Sequence, residues 1–314
     1  MRHCGRAEVA TALGVTVRER AHVAGFAGLQ SCGSVWADPV CSSKVMARRR
    51  VEIGAAVEIW QALGGRVGFV TLTMRHRKGQ RLATLWDGLS KAWGRVTGGK
   101  GWTTDKARHG VAGWMRVVEV THGRNGWHVH VHSLVFFAPA LVAPEVQALH
   151  AGMFARWSGG LQSVGLAKPL MVGQDARLID GAADADLGRY FTKAVHGGDR
   201  IAYEFTGSQT KSVRDALGTR PAWSLLDAAS EAGDADALDL WHEYEKGSKG
   251  RRQMTWSQGF RKELGLQVEQ TDEEIAEEEL GSNDDDLVVI TSAGWKRVVE
   301  RLLMVPILEA TETG

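Results

Sequence analysis

The chain lacks the marks of a secreted, membrane-spanning or fibrous protein. Only three cysteines and six prolines occur in 314 residues, too few for a disulfide framework or a collagen-like chain. The first 25 residues, MRHCGRAEVATALGVTVRERAHVAG, hold no apolar signal core, and no run of about 18 consecutive apolar residues appears anywhere. A cytoplasmic protein with no membrane partner is the expectation, its cysteines either reduced thiols or metal ligands. What is present is a 44% hydrophobic composition, enough for a sizeable core and one or two domains.

Net charge is also nearly absent, with 38 Lys and Arg against 37 Asp and Glu, but the balance hides an asymmetry. Residues 263–314 carry 14 acidic and three basic side chains, leaving 35 basic against 23 acidic in residues 1–262. An excess of +12 on one body is the footprint of a polyanion binder, and the acidic tail suits either a solvated linker or a mimic of the ligand.

Hydrophobic patterning gives the architecture. A helix is expected around Ser43–Leu63, a buried strand at Val67–Met74, and an amphipathic helix over residues 80–95, where Leu82, Leu85, Trp86, Leu89 and Trp93 share a face. Two strands follow, Met115–Thr121 and His128–Phe137, joined through an Asn125-Gly126 turn signal. Then come a helix near Pro144–Val164, a strand near Leu170–Leu178 and a helix at Asp184–Val195. The fold class is α+β: a central antiparallel sheet of about five strands with helices mainly on one face. Four segments are expected: residues 1–62 with the cysteines, 63–200 as the core, 201–265 with Trp and Arg, and 266–314 as an acidic linker and small strand-helix unit.

The chemistry gathers on the hairpin. In Trp127-His128-Val129-His130-Val131-His132 alternation puts three imidazoles on one face and the valines on the other. On the partner strand Glu119 lies between Val118 and Val120, opposite to them. Two imidazoles at i, i+2 and a carboxylate one strand away can hold one divalent cation and leave positions open for substrate oxygens. The alternative is an amphipathic strand with solvated histidines.

The segment VVEVTHGRNGWHVHVHSLVF resembles the metal motif of the His-hydrophobic-His (HUH) endonucleases, and among them the single-tyrosine, actinobacterial-type rolling-circle replication initiators of bacterial plasmids. The family motif falls on His130-Val131-His132, with His128 an extra histidine, or on His128-Val129-His130. The resemblance extends to Phe69-Val70-Thr71-Leu72-Thr73-Met74-Arg75-His76 and to Leu187-Gly188-Arg189-Tyr190-Phe191-Thr192-Lys193, in family order, and covers about residues 25–265. It implies Tyr190 as nucleophile, Mg²⁺ or Mn²⁺ held by Glu119, His130 and His132, and single-stranded or hairpin origin DNA as substrate. The product is a 5′-phosphotyrosine with a free 3′-OH that reseals or primes, so a host helicase or polymerase is an implied partner.

Helical spacing agrees, since Asp186, Tyr190 and Lys193 stand at i, i+4 and i+7 on one face. Ionising a phenol at pH 7 costs about 4 kcal/mol, which Lys193 helps offset. Asp186 reads equally as an activator of water in the discharge step and as a helix N-terminal carboxylate. Arg75, His76, Arg251, Arg252, Trp256 and Arg261 are candidate strand contacts through charge and stacking, tryptophans being also ordinary core residues. Relatives carry Cys-Pro-x-Cys near Cys32–Cys41, which implies a zinc knuckle. Here Asp38 replaces one cysteine, so zinc at Cys4, Cys32, Asp38 and Cys41 (or His3) stands beside inert thiols. Competing readings are a relaxase or single-strand transposase of the same superfamily and a non-enzymatic origin-binding regulator.

Overall fold

The computed structural model describes residues 3–20, 23–140, 145–179, 219–277 and 285–313. Along the chain run β1 (Val15–Arg20), β2 (Val23–Ala27), α1 (Pro39–Ala62), β3 (Arg66–Thr73), α2 (Leu82–Val96), α3 (Gly99–His109), β4 (Val111–Gly123), β5 (Gly126–Phe137) and α4 (Val146–Gln162). Then follow β6 (Asp175–Ile179), β7 (Thr219–Pro221), α5 (Trp223–Glu231), α6 (Ala235–Ser248), β8 (Met254–Trp256), α7 (Phe260–Glu263), α8 (Asp272–Glu277), β9 (Asp285–Ile290), α9 (Ser292–Glu300) and α10 (Met304–Thr313). They form two units, residues 46–269 and residues 1–45 with 270–314. None of the described helices is long and apolar enough to cross a membrane.

The larger unit is an α+β body on an antiparallel sheet in the order β6-β3-β5-β4-β7, with β8 also paired to β4. The long β4–β5 hairpin closes through Arg124 and Asn125, so the pairs run Gly123 with Gly126, Thr121 with His128, Glu119 with His130 and Val117 with His132. Gly126 follows the turn at φ 87°, and an added Cβ would stand 3.3 Å from the Arg77 carbonyl oxygen and the Lys78 Cα. Positive φ and this approach together require glycine there.

Direct cross-strand partners share a face, so the register sorts the sheet into two sides. One carries Val70 and Leu72 of β3, Val118 and Val120 of β4, and Val129, Val131 and Val135 of β5. These side chains are buried, and α2 and α4 pack on this side, with α6 against α2. α2 and α4 cross closely, since a Cβ on Gly160 would lie 2.5 Å from the Ala92 Cα. The other side is apolar toward one end, where Phe69, Met115, Leu134 and Phe136 meet Ile53, Val57 and Trp60 of α1 and Phe260 of α7. The Trp60 indole N–H donates to the Phe137 carbonyl at 2.8 Å, pinning α1 to the sheet. Toward its other end this side becomes polar.

The smaller unit holds the sheet β2-β1-β9, with β9 antiparallel to β1. Its core is Val15 with Trp295 and Val298 of α9, and Phe26 packs edge-on to Trp295 at 4.9 Å. Residues 1–45 and 270–314 are held in this one unit by the β1–β9 ladder.

Candidate active site

Because β5 pairs with β3 on one side and β4 on the other, two polar rows cross the sheet. Thr71 aligns with His132 and Val117, and Thr73 with His130 and Glu119. Glu119 Oε2 lies 3.0 Å from His130 Nε2 and 3.2 Å from His132 Nε2, and those two nitrogens are 3.0 Å apart. Both imidazoles are buried, at 8% and 6% exposure. Burial pushes the Glu119 carboxyl up, but His130 and His132 outweigh it and bring its pKa down to about 2. Burial holds His132 below the usual histidine range, against the pull of Glu119. Both groups are therefore in the forms that ligate a cation at neutral pH.

This donor set fits a divalent ion. Neighbouring donors ~2.1 Å from one octahedral ion stand roughly 3.0 Å apart, which is the spacing found here. His132 Nδ1 lies 3.0 Å from Thr71 Oγ1. With Nδ1 protonated, the ring donates to the hydroxyl and leaves its Nε2 lone pair for a cation shared with Glu119 and His130, the orienting bond a ligating histidine uses. Phe69 stacks on the same ring at 5.4 Å. Thr71 lies in the Thr-Leu-Thr strand, and only the β3–β5 register pairs it with His132. Asp175 aligns with Thr71 on β6, and its charge pulls the His132 imidazole pKa upward against burial.

His128 stands apart from the triad. Its Nδ1 faces His76 Nδ1 at 3.4 Å, and burial brings its pKa down to about 3. Of the three histidines on β5, His130 and His132 meet Glu119, whereas His128 meets the loop after β3. Tyr190, Lys193 and Asp186 lie outside the described residues.

The remaining candidates divide. Arg75 and Arg252 are exposed. Arg251 is held by Asp87 at 2.6 Å and lies over Trp86. Trp256 corrects the expectation of base stacking: it is buried in the core beside Phe136 and under Arg261. Arg261 is likewise engaged, bonding Glu52 at 3.1 Å and the Gln267 carbonyl at 3.0 Å. Trp256 faces the core because β8 lies along β4 at the apolar end of the sheet, and Arg261 of α7 packs over it.

In the smaller unit Cys4, Cys32, Asp38 and Cys41 place one donor atom each within 4.8 Å of one another. Cys41 Sγ is 3.5 Å from Cys4 Sγ and 3.8 Å from Cys32 Sγ. Asp38 accepts from the Cys41 N–H at 2.9 Å, holding its carboxylate beside the sulfurs. Burial and then Asp38 push the Cys4 and Cys41 thiols up. A cation among them would reverse that cost.

A family model described as replication protein matches residues 29–148. The chain is 30% identical over 353 residues to "Protein rep" of Streptomyces lividans, covering 91% of this chain and 75% of that protein. It is 35% identical over 146 residues to "Neomycin resistance protein" of Streptomyces cyanogenus, covering 38% of this chain and 33% of that protein. No solved structure matches it.

Proposed function

The chain belongs to the family of plasmid replication (Rep) proteins, and from that premise we propose that it initiates rolling-circle replication as a metal-dependent, single-tyrosine DNA nickase and ligase. The observation that carries the reading is the convergence of Glu119, His130 and His132 on one point of the sheet, 3.0–3.2 Å apart. These residues would hold Mg²⁺ or Mn²⁺, imidazole donors suiting Mn²⁺ better. When bound, the cation would polarise a non-bridging oxygen of the scissile phosphate and stabilise the charge that develops on it. Thr71 keeps His132 aimed at that point.

The nucleophile is a tyrosine, and the chain has three, at positions 190, 203 and 244. Tyr244 is unsuited: it is buried against Trp127 and Trp241 on the valine side of the sheet, and burial pushes its phenol well above the usual range. Of the other two, Tyr190 has Lys193 three residues further along the sequence, a cation that would favour the phenolate. Its oxygen attacks phosphorus, the 3′-oxygen departs as a hydroxyl, and a 5′-phosphotyrosine remains. Asp186 is assigned to activate the acceptor when the adduct is discharged. The 3′-OH either reverses the reaction or primes a host polymerase on origin DNA. In the smaller unit, Cys4, Cys32, Asp38 and Cys41 would hold a structural Zn²⁺.

The test mixes protein, Mn²⁺ and labelled single-stranded origin DNA and looks for an adduct that survives detergent. It is expected in the parent protein, absent with chelator and in Tyr190→Phe, and retained in Tyr203→Phe. Adduct in Tyr190→Phe overturns the nucleophile assignment; DNA binding with no adduct in the parent favours the non-enzymatic reading.

A further inference from the structure

The end of the sheet beside the triad has a rim that the catalytic reading leaves unused. Past Thr73 the chain turns into a loop carrying Arg75, Arg77 and Lys78, and the β4–β5 turn carries Arg124; all four are exposed. The two loops touch, Gly126 lying against the backbone of Arg77 and Lys78. His76 joins the rim to the site: its Nδ1 meets His128 Nδ1 at 3.4 Å, and the His128 ring lies 4.7 Å from that of His130. None of the four cations is paired with a carboxylate among the described residues, and what sets them apart is that two touching loops gather them at the end of the sheet that carries the triad. Clustered cations without carboxylate partners, beside a site that takes a phosphodiester, carry their own electrostatic signature.

We propose that Arg75, Arg77, Lys78 and Arg124 form a ledge for the phosphates of the DNA strand flanking the scissile bond, with His76 and His128 bridging ledge and metal centre. The assignment rests on the nickase reading only for what happens next to the ledge; strand binding itself needs no cleavage. A ledge of this kind holds backbone without reading bases, so it positions the strand and leaves sequence choice to other parts of the chain.

The experiment measures binding of a labelled single-stranded oligonucleotide in EDTA across a salt series, using the full chain. The parent is compared with Arg75→Gln/Arg77→Gln/Lys78→Gln/Arg124→Gln and with a control of equal charge change at exposed cations elsewhere in the unit, Lys91→Gln/Lys100→Gln/Arg108→Gln/Lys168→Gln. Each single-strand phosphate contact contributes about 0.7 to the slope of log K against log salt, so losing four flattens it by about 3. The control is expected to keep the parent slope. Equal slopes in all three proteins overturn the ledge, as does equal flattening by the control. Nicking is assayed in parallel with Mn²⁺: a parent that binds with the steep slope but forms no adduct defeats the nickase reading and leaves the ledge standing. Retained adduct with an unchanged slope in the ledge variant defeats only the ledge.

Discussion

Replacing Thr71 with valine tests whether the sheet was built around a metal ion. The two side chains have nearly the same shape, so Thr71→Val keeps the packing on β3 and removes one partner, the hydroxyl 3.0 Å from His132 Nδ1. Phe69 still stacks on the ring at 5.4 Å, so the imidazole stays in place but loses what selects its tautomer. Loss of such an outer partner weakens metal binding by about 10–100-fold. With Phe69 retained, the lower end is expected, about tenfold or roughly 1.4 kcal/mol. The assay is titration of free Mn²⁺ by electron paramagnetic resonance. Nicking should return to near the parent rate at saturating Mn²⁺, and Thr71→Ser should restore the affinity. Thr73→Val is the control, because the Thr73 hydroxyl bonds the Gly173 carbonyl and Gln174 rather than an imidazole. Affinity within twofold of the parent in Thr71→Val, or an equal loss in Thr73→Val, would refute the argument.

Three further outcomes are expected. His150 is 4% exposed and its Nε2 has no hydrogen-bond partner among the described residues; burial holds its pKa below 6.5. The unfolded chain therefore takes up the proton first, so stability is full above pH 6.5 and falls as pH drops below it. Urea melts of metal-free protein should show a smaller loss between pH 7.5 and 5.5 in His150→Leu than in the parent, a window above that in which Glu119 titrates. Gly160→Ala puts a Cβ 2.5 Å from the Ala92 Cα, an overpacking expected to cost about 1–3 kcal/mol; an unchanged melting temperature would show that the helices part freely. Mercurial titration of the cysteines should release about one zinc per chain, and Cys41→Ala should purify without it; a zinc-free parent would leave the cluster as plain thiols.

Much of the site was legible because two short-range rules are rigid. Alternation separates His130 and His132 from Val129 and Val131, and once the turn is fixed at Arg124 and Asn125, every cross-strand pair follows, Glu119 opposite His130 included. The Asn-Gly signal found the turn but placed its centre one residue late. Other features left no local trace. α3 buries only Trp102 and starts among glycines, so it shows no apolar stripe. β8 is three residues long, too short for alternation to reveal that Trp256 faces the core. Cys4, Cys32, Asp38 and Cys41 are brought together by folding rather than by a regular spacing.

The β1–β9 ladder, joining residues more than 260 positions apart, bears on the acidic segment as well. Removing residues 263–314 would take β9 from β1 and Trp295 from the core around Val15, so the deletion reports on folding before it reports on charge. Neutralising exposed carboxylates leaves the ladder intact. Glu273→Gln/Glu277→Gln in α8, both exposed, should therefore tighten single-strand binding at low salt if the segment competes with DNA for the basic unit, with the difference vanishing at high salt. Unchanged affinity at low salt, with the melting curve preserved, would retire competition and leave the carboxylates as a solvated surface.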